Sequence, residues 1–298
     1  MRKYAVIGNC VTNGLARCVE FFDPGALVSA IHVWNIQQRY GSPDQMYSDL
    51  SSFDVVFLLD FDDELSFWGI SDPKRFAESV PSSVIYPKIV FTGYHPDQVY
   101  AFDRRTRRSV DSPLTDCHSA IALYGYLKGF GFEDIRKLYN NAVFERLGYF
   151  KTWDAAAKEL LSNETARAFN LDKYLLSWTR EGCFMHNIIH PKINVLADIA
   201  REMMTKAGCR PRWNFINSYV QDELKTGPVW PVYPEIGQLF NVKGEYIFKK
   251  LGVESSPGNS LYFGLDEFLR ECLDKYVNYP REQIQSDRVE NWIRESFL

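Results

Sequence analysis

The sequence predicts an α/β fold with a doubly wound parallel sheet of about four or five strands. Three observations support this fold class: short apolar segments typical of strands, helical patterns between them, and one strand without polar alternation. Residues 55–59 (VVFLL) are apolar throughout, as in strands that are buried on both faces of a parallel sheet. Strands that alternate with helices indicate βαβ units.

The first third of the chain supplies the predicted strands and the helices between them. The strands are predicted at residues 4–7, 27–33, 55–60 and 88–92, and the helices at residues 11–22, 43–50 and 73–79. The first helix is expected to end at Asp23-Pro24-Gly25, because proline cannot continue a helix and glycine favours a turn.

The middle of the chain changes to an almost entirely helical pattern. Residues 110–181 are therefore predicted to form a helical insertion or lid. The breaks between its helices are predicted at Gly129, Gly131 and Gly148.

A further helix is predicted after the insertion, with Pro191 in its first turn and Gly208 just past its end. Residues 234–298 are predicted to form a C-terminal helical extension. We expect residues 1–298 to make a single α/β domain that carries these additions.

Composition restricts the class of function. The 298 residues carry a net charge of −4, so overall electrostatics give no support for binding nucleic acid. No run of about 18 apolar residues occurs, so no transmembrane segment is expected. The apolar run near the first residue ends at Gly8, which is too short for a secretion signal, and a cytoplasmic protein is expected.

Neither the cysteines nor the acidic residues predict a metal site. No cysteine pair has the C-x-x-C spacing of zinc and redox motifs, and in a cytoplasm all six are expected to stay as thiols. They are Cys10, Cys18, Cys117, Cys183, Cys209 and Cys272. Asp60, Asp62, Asp63 and Glu64 follow the third strand with no adjoining histidine, and we interpret them as a solvated loop.

The turn Gly8-Asn9-Cys10, between the first strand and the first helix, is the strongest candidate site. It lacks the glycine pattern of a dinucleotide fingerprint and the G-K-[ST] of a phosphate-binding loop. A thiol at Cys10 lies where open α/β sheets bind ligands. Gly8 and Asn9 are therefore candidate contacts of a cofactor bound there. The N–H groups of the following helix favour the thiolate and a developing oxyanion. The alternative is a small buried cysteine that only packs a tight turn.

A cysteine nucleophile needs a base and a group that orients the base. Among five histidines, His190 is the best placed, because Asn187 precedes it by three residues. The segment resembles the D-x-x-H-P block of the SGNH (GDSL) hydrolases and acetyltransferases, with Asn187 at the aspartate position. Cys10 likewise stands at the serine position of their G-D-S block. A Cys10–His190–Asn187 set is chemically coherent. His186 is a substitute in either role, and a structural cap is the alternative for His190.

The block FTGYHPD follows the predicted fourth strand and is expected at the same sheet edge as Cys10. Gly93 is a candidate donor of an N–H group to an oxyanion. His95 is a candidate base or phosphate contact. The alternative is a turn needed only for chain reversal.

A basic run and a lone histidine complete the candidates. The run is Arg104, Arg105, Arg107 and Arg108. Guanidinium groups match phosphate geometry, so the run is a candidate site for the phosphates of coenzyme A, and a merely solvated charge run is the alternative. His118 opens the helical insertion as a candidate cofactor contact, with a structural histidine as its alternative.

Five blocks are distributed from about residue 4 to residue 250: VIGNC, FTGYHPD, DCHSAIALYGYLKGF, HNIIHPKINVLADIA and VYPEIGQLFNVKGEYIFKK. Their order and number resemble the WcbI-type capsular polysaccharide-biosynthesis acetyltransferases. The resemblance implies binding of coenzyme A or acetyl-CoA, O-acetylation of a capsular sugar and association with capsule-assembly enzymes. It also implies site positions at Cys10, His95, His118 and His190.

We therefore expect an acetyl-CoA-dependent O-acetyltransferase that acts on a sugar of a capsular or similar polysaccharide. Transfer would proceed through an acetylated Cys10 or directly, with a histidine as base. Two alternatives stay open: a thiol-based SGNH-like esterase or deacetylase that needs no coenzyme A, and a non-catalytic protein that binds coenzyme A or a glycan.

Overall fold

The computed structural model describes residues 1–61, 73–214, 216, 218–252 and 260–296. The chain folds into two compact units. The first unit comprises Met1–Val90, Lys158–Phe184 and His190–Leu224. The second unit comprises Phe91–Ala157, Met185–Ile189 and Lys225–Leu298. The predicted insertion at residues 110–181 is therefore divided, since its last helices belong to the first unit and the others to the second.

The first unit carries the large sheet. The sheet consists of β1 (Lys3–Gly8), β2 (Leu27–His32), β3 (Val55–Leu59) and β4 (Ser83–Tyr86), and the unit also contains the short strand β9 (His190–Pro191). Its helices are α1 (Thr12–Phe22), α2 (Ile36–Arg39), α3 (Pro43–Leu50), α4 (Pro73–Ser79), α9 (Glu164–Ala168), α10 (Leu171–Arg180) and α11 (Ile193–Lys206).

The second unit is built from short strands and helices. Its strands are β5 (Gln98–Val99), β6 (Phe102–Asp103), β7 (His118–Ser119), β8 (Met185–Asn187), β10 (Phe248–Lys249), β11 (Tyr262–Phe263) and β12 (Ile284–Gln285). Its helices are α5 (Ala120–Lys128), α6 (Phe132–Lys137), α7 (Asn141–Arg146), α12 (Pro234–Phe240), α13 (Leu265–Tyr276) and α14 (Asp287–Arg294). Helix α8 (Thr152–Leu160) runs in sequence from the second unit into the first.

The large sheet confirms the predicted fold class. Its strand order is β2-β1-β3-β4, and all neighbouring strands are parallel. Every residue of β3 is buried, as its unbroken apolar sequence predicts. The chain passes from β1 to β2 and then returns across β1 to form β3. This reversal makes a switch point beside the carboxyl end of β1, the place where open α/β sheets bind ligands.

The predicted fourth strand at residues 88–92 is wrong. The fourth strand is β4, Ser83–Tyr86, and residues 88–92 form no strand. Val84, Ile85 and Tyr86 are good strand formers, and Pro87 ends the strand because it has no N–H group to donate. The two serines before Val84 resemble a turn in sequence, which hides the strand.

Helix α11 packs against α1, and Leu196, Ala200 and Met203 are among its buried residues. It begins at Ile193, because His190 and Pro191 form β9 and not the first helical turn that the sequence suggests. Gly208 does lie just past the end of α11 and adopts a φ of 71°, a left-handed conformation that glycine tolerates without strain. No helix in the described ranges is long and apolar enough to cross a bilayer.

Candidate functional site

The Gly8-Asn9-Cys10 turn connects β1 to α1 at the switch point of the sheet. The Asn9 carbonyl accepts hydrogen bonds from the Thr12 N–H at 3.1 Å and from the Thr12 hydroxyl at 2.7 Å. The Asn9 side-chain oxygen accepts from the Val11 N–H at 3.3 Å. Cys10 is half-buried, and its sulfur lies 3.8 Å from the Asn9 side-chain oxygen. The turn therefore holds the thiol just ahead of the N-terminus of α1.

Gly8 is required by the close approach of Tyr86 from the end of β4. A Cβ atom at Gly8 would collide with the Tyr86 hydroxyl and would lie 2.9 Å from the Thr12 hydroxyl. The Tyr86 hydroxyl donates to the Ile7 carbonyl at 3.0 Å. Burial raises the pKa of the Tyr86 phenol above its usual value, and the nearby Cys10 thiol raises it further. Tyr86 thus supports the Cys10 turn as a neutral hydrogen-bond donor.

His32 lies beside the Cys10 turn, and sequence reasoning missed it. It ends β2 directly opposite Gly8 in the register of the sheet. Its ring nitrogens lie 3.2 Å from the Asn9 carbonyl oxygen and 3.1 Å from the Asn13 side-chain oxygen. The ring stacks on Trp34 with centroids 4.8 Å apart. The signal in the sequence was a histidine at the carboxyl end of a predicted parallel strand.

His190 belongs to the first unit, as Cys10 does. It is half-buried in β9, three residues before α11 begins. Near the beginning of both helices, Leu196 of α11 lies against Gly14 of α1, with its Cδ1 atom 2.6 Å from the position of a Cβ on Gly14. Cys10 therefore precedes α1 and His190 precedes α11, and these two helices are in contact near their N-termini.

Asn187 belongs to the second unit, and backbone groups occupy its amide. Its Nδ2 donates to the Pro228 carbonyl at 3.2 Å, and its Oδ1 accepts from the Ile189 N–H at 3.0 Å. The residue is buried. These contacts give Asn187 a clear role in fixing the loop that precedes β9.

The FTGYHPD block lies inside the second unit. Gly93 is buried and has no room for a side chain, since a Cβ would lie 2.9 Å from the backbone of Trp153. His95 is 1% exposed, and its Nδ1 lies 3.2 Å from the Pro231 carbonyl oxygen. Because a carbonyl only accepts, Nδ1 carries the proton in this hydrogen bond and Nε2 is the basic nitrogen of the neutral ring.

Asp97 shows that part of this block is structural. The buried carboxylate accepts hydrogen bonds from the hydroxyls of Tyr149 and Tyr233, each at 2.7 Å, and from the Ile121 N–H at 3.0 Å. Burial raises the pKa of Asp97, and these donors oppose that shift. The network anchors the turn that carries His95 to three separate segments of the second unit.

The four arginines lie on one exposed turn of the second unit but have different surroundings. Arg104 pairs with Glu290 in α14. Arg107 lines a cavity, and its backbone adopts a φ of 60°. Arg105 and Arg108 are exposed at the surface. Arg104 is thus engaged by a carboxylate and Arg107 belongs to a cavity wall, and the phosphate site at the four arginines stays a prediction.

His118 is fully buried, and both ring nitrogens have partners. Its Nδ1 accepts from the Tyr276 hydroxyl at 2.9 Å, and its Nε2 donates to the Val110 carbonyl at 3.0 Å. Burial lowers the pKa of His118 to about 4. A neutral ring with these two hydrogen bonds matches the structural alternative given for this residue, not a cofactor contact.

The structure describes only some of the acidic residues after β3 and of the side chains that could bind a metal. Asp62, Asp63 and Glu64 lie outside the described residues. Within the ranges that the structure describes, no group of three or more histidine, cysteine, aspartate or glutamate side chains is arranged to hold a metal ion.

Comparisons with known proteins gave a family match and a structural match for this chain. The family model of the polysaccharide biosynthesis enzyme WcbI matches residues 3–212. A solved structure of WcbI is similar with a TM-score of 0.64 and 13% identity, covering 99% of this chain and 98% of the other. That structure is described as native protein without a disulfide bond between coenzyme A and one of its cysteines. No protein with a curated description matches the sequence.

Proposed function

The chain belongs to the WcbI family of polysaccharide biosynthesis enzymes, and on this premise we propose that it is an acetyltransferase. It would move the acetyl group of acetyl-CoA to a hydroxyl group of a polysaccharide sugar. The observation that carries the proposal is the half-buried Cys10 thiol at the switch point of the sheet, ahead of the N-terminus of α1. A ligand-binding position and a reactive group coincide there.

The surroundings of Cys10 suit a nucleophile. The unpaired N–H groups and the dipole at a helix N-terminus stabilise a thiolate. By contrast, Cys18, Cys117 and Cys272 are buried, and desolvation raises the pKa of each thiol above its usual value. The position of Cys10 therefore separates it from the packing cysteines of the same chain.

The transfer balances in two steps. The Cys10 thiolate attacks the carbonyl carbon of acetyl-CoA, the bond from that carbon to the coenzyme A sulfur breaks, and coenzyme A leaves as a thiol after taking a proton. The sugar hydroxyl then attacks the acetyl group on Cys10, and Cys10 leaves as the thiolate that began the cycle. The proton of the hydroxyl passes to a base and replaces the proton that this base gave to coenzyme A in the first step. Asn9 already accepts from the N–H groups of Val11 and Thr12, so later N–H groups in the first turn of α1 would hold the oxyanion in both steps. Each such donor contributes about 3 kcal/mol.

His190 is our candidate for the base. It precedes α11 as Cys10 precedes α1, and the two helices pack at their N-terminal ends. His32 is the other histidine of the first unit in the described residues, and its ring nitrogens contact Asn9 and Asn13. We assign His32 to positioning the turn and His190 to proton transfer. In direct transfer, His190 would deprotonate the sugar hydroxyl without an acetyl-Cys10 intermediate.

Acetyl-CoA is the proposed donor of the acetyl group because of the family match and the solved relative. The WcbI structure is described as native protein without a disulfide bond between coenzyme A and a cysteine, so its description names this cofactor and a cysteine together. We propose that Cys10 has the same relation to coenzyme A here. Arg105 and Arg108 are exposed guanidinium groups that suit its phosphates.

Thermal unfolding with and without coenzyme A and acetyl-CoA tests the proposal. Ligand at about one hundred times its dissociation constant adds about 2.7 kcal/mol to the free energy of unfolding, a shift of a few degrees in Tm. The shift should shrink in an Arg105→Ala/Arg108→Ala double variant. It should persist in an Arg146→Ala/Lys151→Ala variant, which removes the same charge from exposed positions elsewhere in the second unit.

The same experiment separates the transferase from a thiol esterase. If neither ligand shifts Tm in the wild type, acetyl-CoA is not the acetyl donor, and the proposed acetyltransferase activity is contradicted. Release of acetate from an acetylated glycan without coenzyme A would then identify the esterase.

A further inference from the structure

The second unit contains an open cavity of about 580 Å³, and no residue of the Gly8-Asn9-Cys10 turn lines it. Six of its lining residues matter here: Gln98, Phe102, Arg107, Gln285, Asp287 and Arg288. They come from three short strands, the arginine turn and the beginning of α14. The volume lies within the range of about 300–1,000 Å³ that is usual for sites of small ligands.

One wall of the cavity is a two-stranded ribbon. Strands β6 and β12 pair in antiparallel register, with Phe102 directly opposite Gln285. Both side chains line the cavity, and Phe102 is 43% exposed. The ribbon thus presents an accessible aromatic face beside a carboxamide that can both donate and accept hydrogen bonds.

The turn after β6 brings a guanidinium group to the same cavity. The Asp103 side chain accepts from the N–H groups of Arg105 at 2.9 Å and Thr106 at 2.7 Å. The Asp103 carbonyl accepts from the Arg107 N–H at 2.8 Å. These bonds hold Arg107 at a φ of 60°, a left-handed conformation that is strained for a residue other than glycine. Strain at a cavity wall is a common mark of a functional position.

Helix α14 also contributes to the lining, and it packs on α5, where Trp292 makes an edge-to-face contact with Tyr124. Asp287 is the first residue of this helix, and Arg288 donates from its guanidinium to the Pro96 carbonyl, next to His95. The deep wall includes Gln98, whose amide accepts from the Ile188 N–H at 3.2 Å and donates to the Cys117 sulfur at 3.1 Å. The cavity is therefore a built feature of the unit and not a gap between loose loops.

The lining indicates the class of ligand. Carboxamide, carboxylate and guanidinium groups together bind hydroxyl groups, because they supply donors and acceptors at fixed positions. The exposed ring of Phe102 can pack against the C–H face of a sugar ring. A polyphosphate would meet the carboxylate of Asp287. Two guanidinium groups against one carboxylate favour a sugar that carries an acidic substituent.

We propose that this cavity binds a glycan residue with an acidic group through Phe102, Gln285, Asp287, Arg107 and Arg288. Sugar binding by the cavity does not depend on the proposed acetyl transfer. Gln285, Asp287 and Arg288 lie beyond the residues that the family model matches.

The test uses the full chain and measures binding by isothermal calorimetry. The probe is a set of short oligosaccharides cut from the extracellular polysaccharide of the source strain, after mild base has removed its esters. We expect Phe102→Ala and Asp287→Asn each to weaken oligosaccharide binding by about tenfold or more, with the binding of coenzyme A unchanged within about twofold. Phe130→Ala is the matched control, because Phe130 is an exposed phenylalanine of the second unit that does not line the cavity.

The outcomes separate the cavity from the transferase. If the wild type binds no oligosaccharide, or if Phe102→Ala and Asp287→Asn bind as tightly as Phe130→Ala, the cavity proposal is overturned. If oligosaccharides bind in the cavity but coenzyme A does not bind at all, the acetyltransferase fails and the sugar site stands.

Discussion

The side chain of Leu196 in α11 lies against Gly14 in α1, with its Cδ1 atom 2.6 Å from the place that a Cβ on Gly14 would take. This approach joins the two helices near their N-termini, and a side chain at residue 14 would force the end of the Leu196 side chain to move. Cys10 precedes one of these helices and His190 precedes the other. The relationship therefore fixes the two segments that carry the proposed nucleophile and the proposed base.

Enlarging Gly14 should destabilise this junction. We expect Gly14→Val to lower the free energy of unfolding by about 2 kcal/mol, because the added methyl groups overlap Leu196. Leu196→Ala alone should cost about 2–4 kcal/mol through lost burial. The double variant should cost at least about 1 kcal/mol less than the sum, measured by urea unfolding, because the smaller side chain makes room.

The control for this cycle is Leu50→Ala in α3, which removes an equally buried leucine away from the junction. Its effect should add to that of Gly14→Val within about 0.5 kcal/mol. Simple additivity in the Leu196 cycle would show that the two helices do not meet as described.

Cysteine labelling should distinguish Cys10 from the packing thiols. Cys10 and Cys183 are half-buried, whereas burial raises the pKa of Cys18, Cys117 and Cys272. Since the thiolate is the reactive form, iodoacetamide should label the first two in the native protein and the other three only after denaturation. Peptide mass spectrometry gives the sites.

Coenzyme A provides the functional contrast in that labelling experiment. It should protect Cys10 and leave Cys183 unprotected, so Cys183 is an internal control. Rapid labelling of Cys18, Cys117 or Cys272 in the native state would contradict the burial that the structure assigns to them.

His118 should make stability fall in mild acid. Burial lowers its pKa to about 4 in the folded state, against about 6.5 in an unfolded chain. Between these values the unfolded state binds the extra proton, so this group removes about 3 kcal/mol of stability as the pH falls from about 6.5 to about 4. Above about pH 6.5 its contribution is constant.

Urea unfolding at a series of pH values checks this, with His118→Gln as the comparison. The difference between the two stability curves should be flat above about pH 6.5 and should narrow towards about pH 4. The coenzyme A shift should be the same in both proteins. If His118→Gln folds but no longer binds coenzyme A, His118 contacts the cofactor and its role is not only structural.

Arg107→Gly separates stability from binding in the cavity. Glycine adopts a φ of 60° without strain, which offsets its larger loss of entropy on folding. We expect the free energy of unfolding to stay level or to rise by up to about 1 kcal/mol, while oligosaccharide binding weakens by about tenfold. Asn170→Gly, at another position with positive φ in the first unit, should leave that binding unchanged.

The sequence predicted those features that depend on local pattern. The unbroken apolar run of β3 identified a central parallel strand. Gly129 and Gly148 marked helix breaks, and both adopt left-handed conformations that only glycine takes readily. The strand–turn–helix around Cys10 placed the candidate nucleophile, because the carboxyl end of a first parallel strand is a position that sequence alone can locate.

Features that depend on long-range contact were not predictable. The β4 strand is short and begins with serine, so residues 88–92 resembled a strand more strongly. His32 reaches the Cys10 turn only through the register of β1 with β2. The cavity joins Phe102 to Gln285 across most of the chain, and no local pattern records that pairing.

The most direct test of acetyl transfer through Cys10 is a rapid-quench reaction of the protein with acetyl-CoA, followed by intact-mass and peptide analysis. We predict one acetyl group per chain on the peptide that carries Cys10, and no adduct in Cys10→Ala. Adding the de-esterified oligosaccharides should discharge that group and yield an O-acetylated sugar. If no adduct forms and Cys10→Ala still transfers acetyl groups as the wild type does, Cys10 is not the nucleophile and the central claim is contradicted.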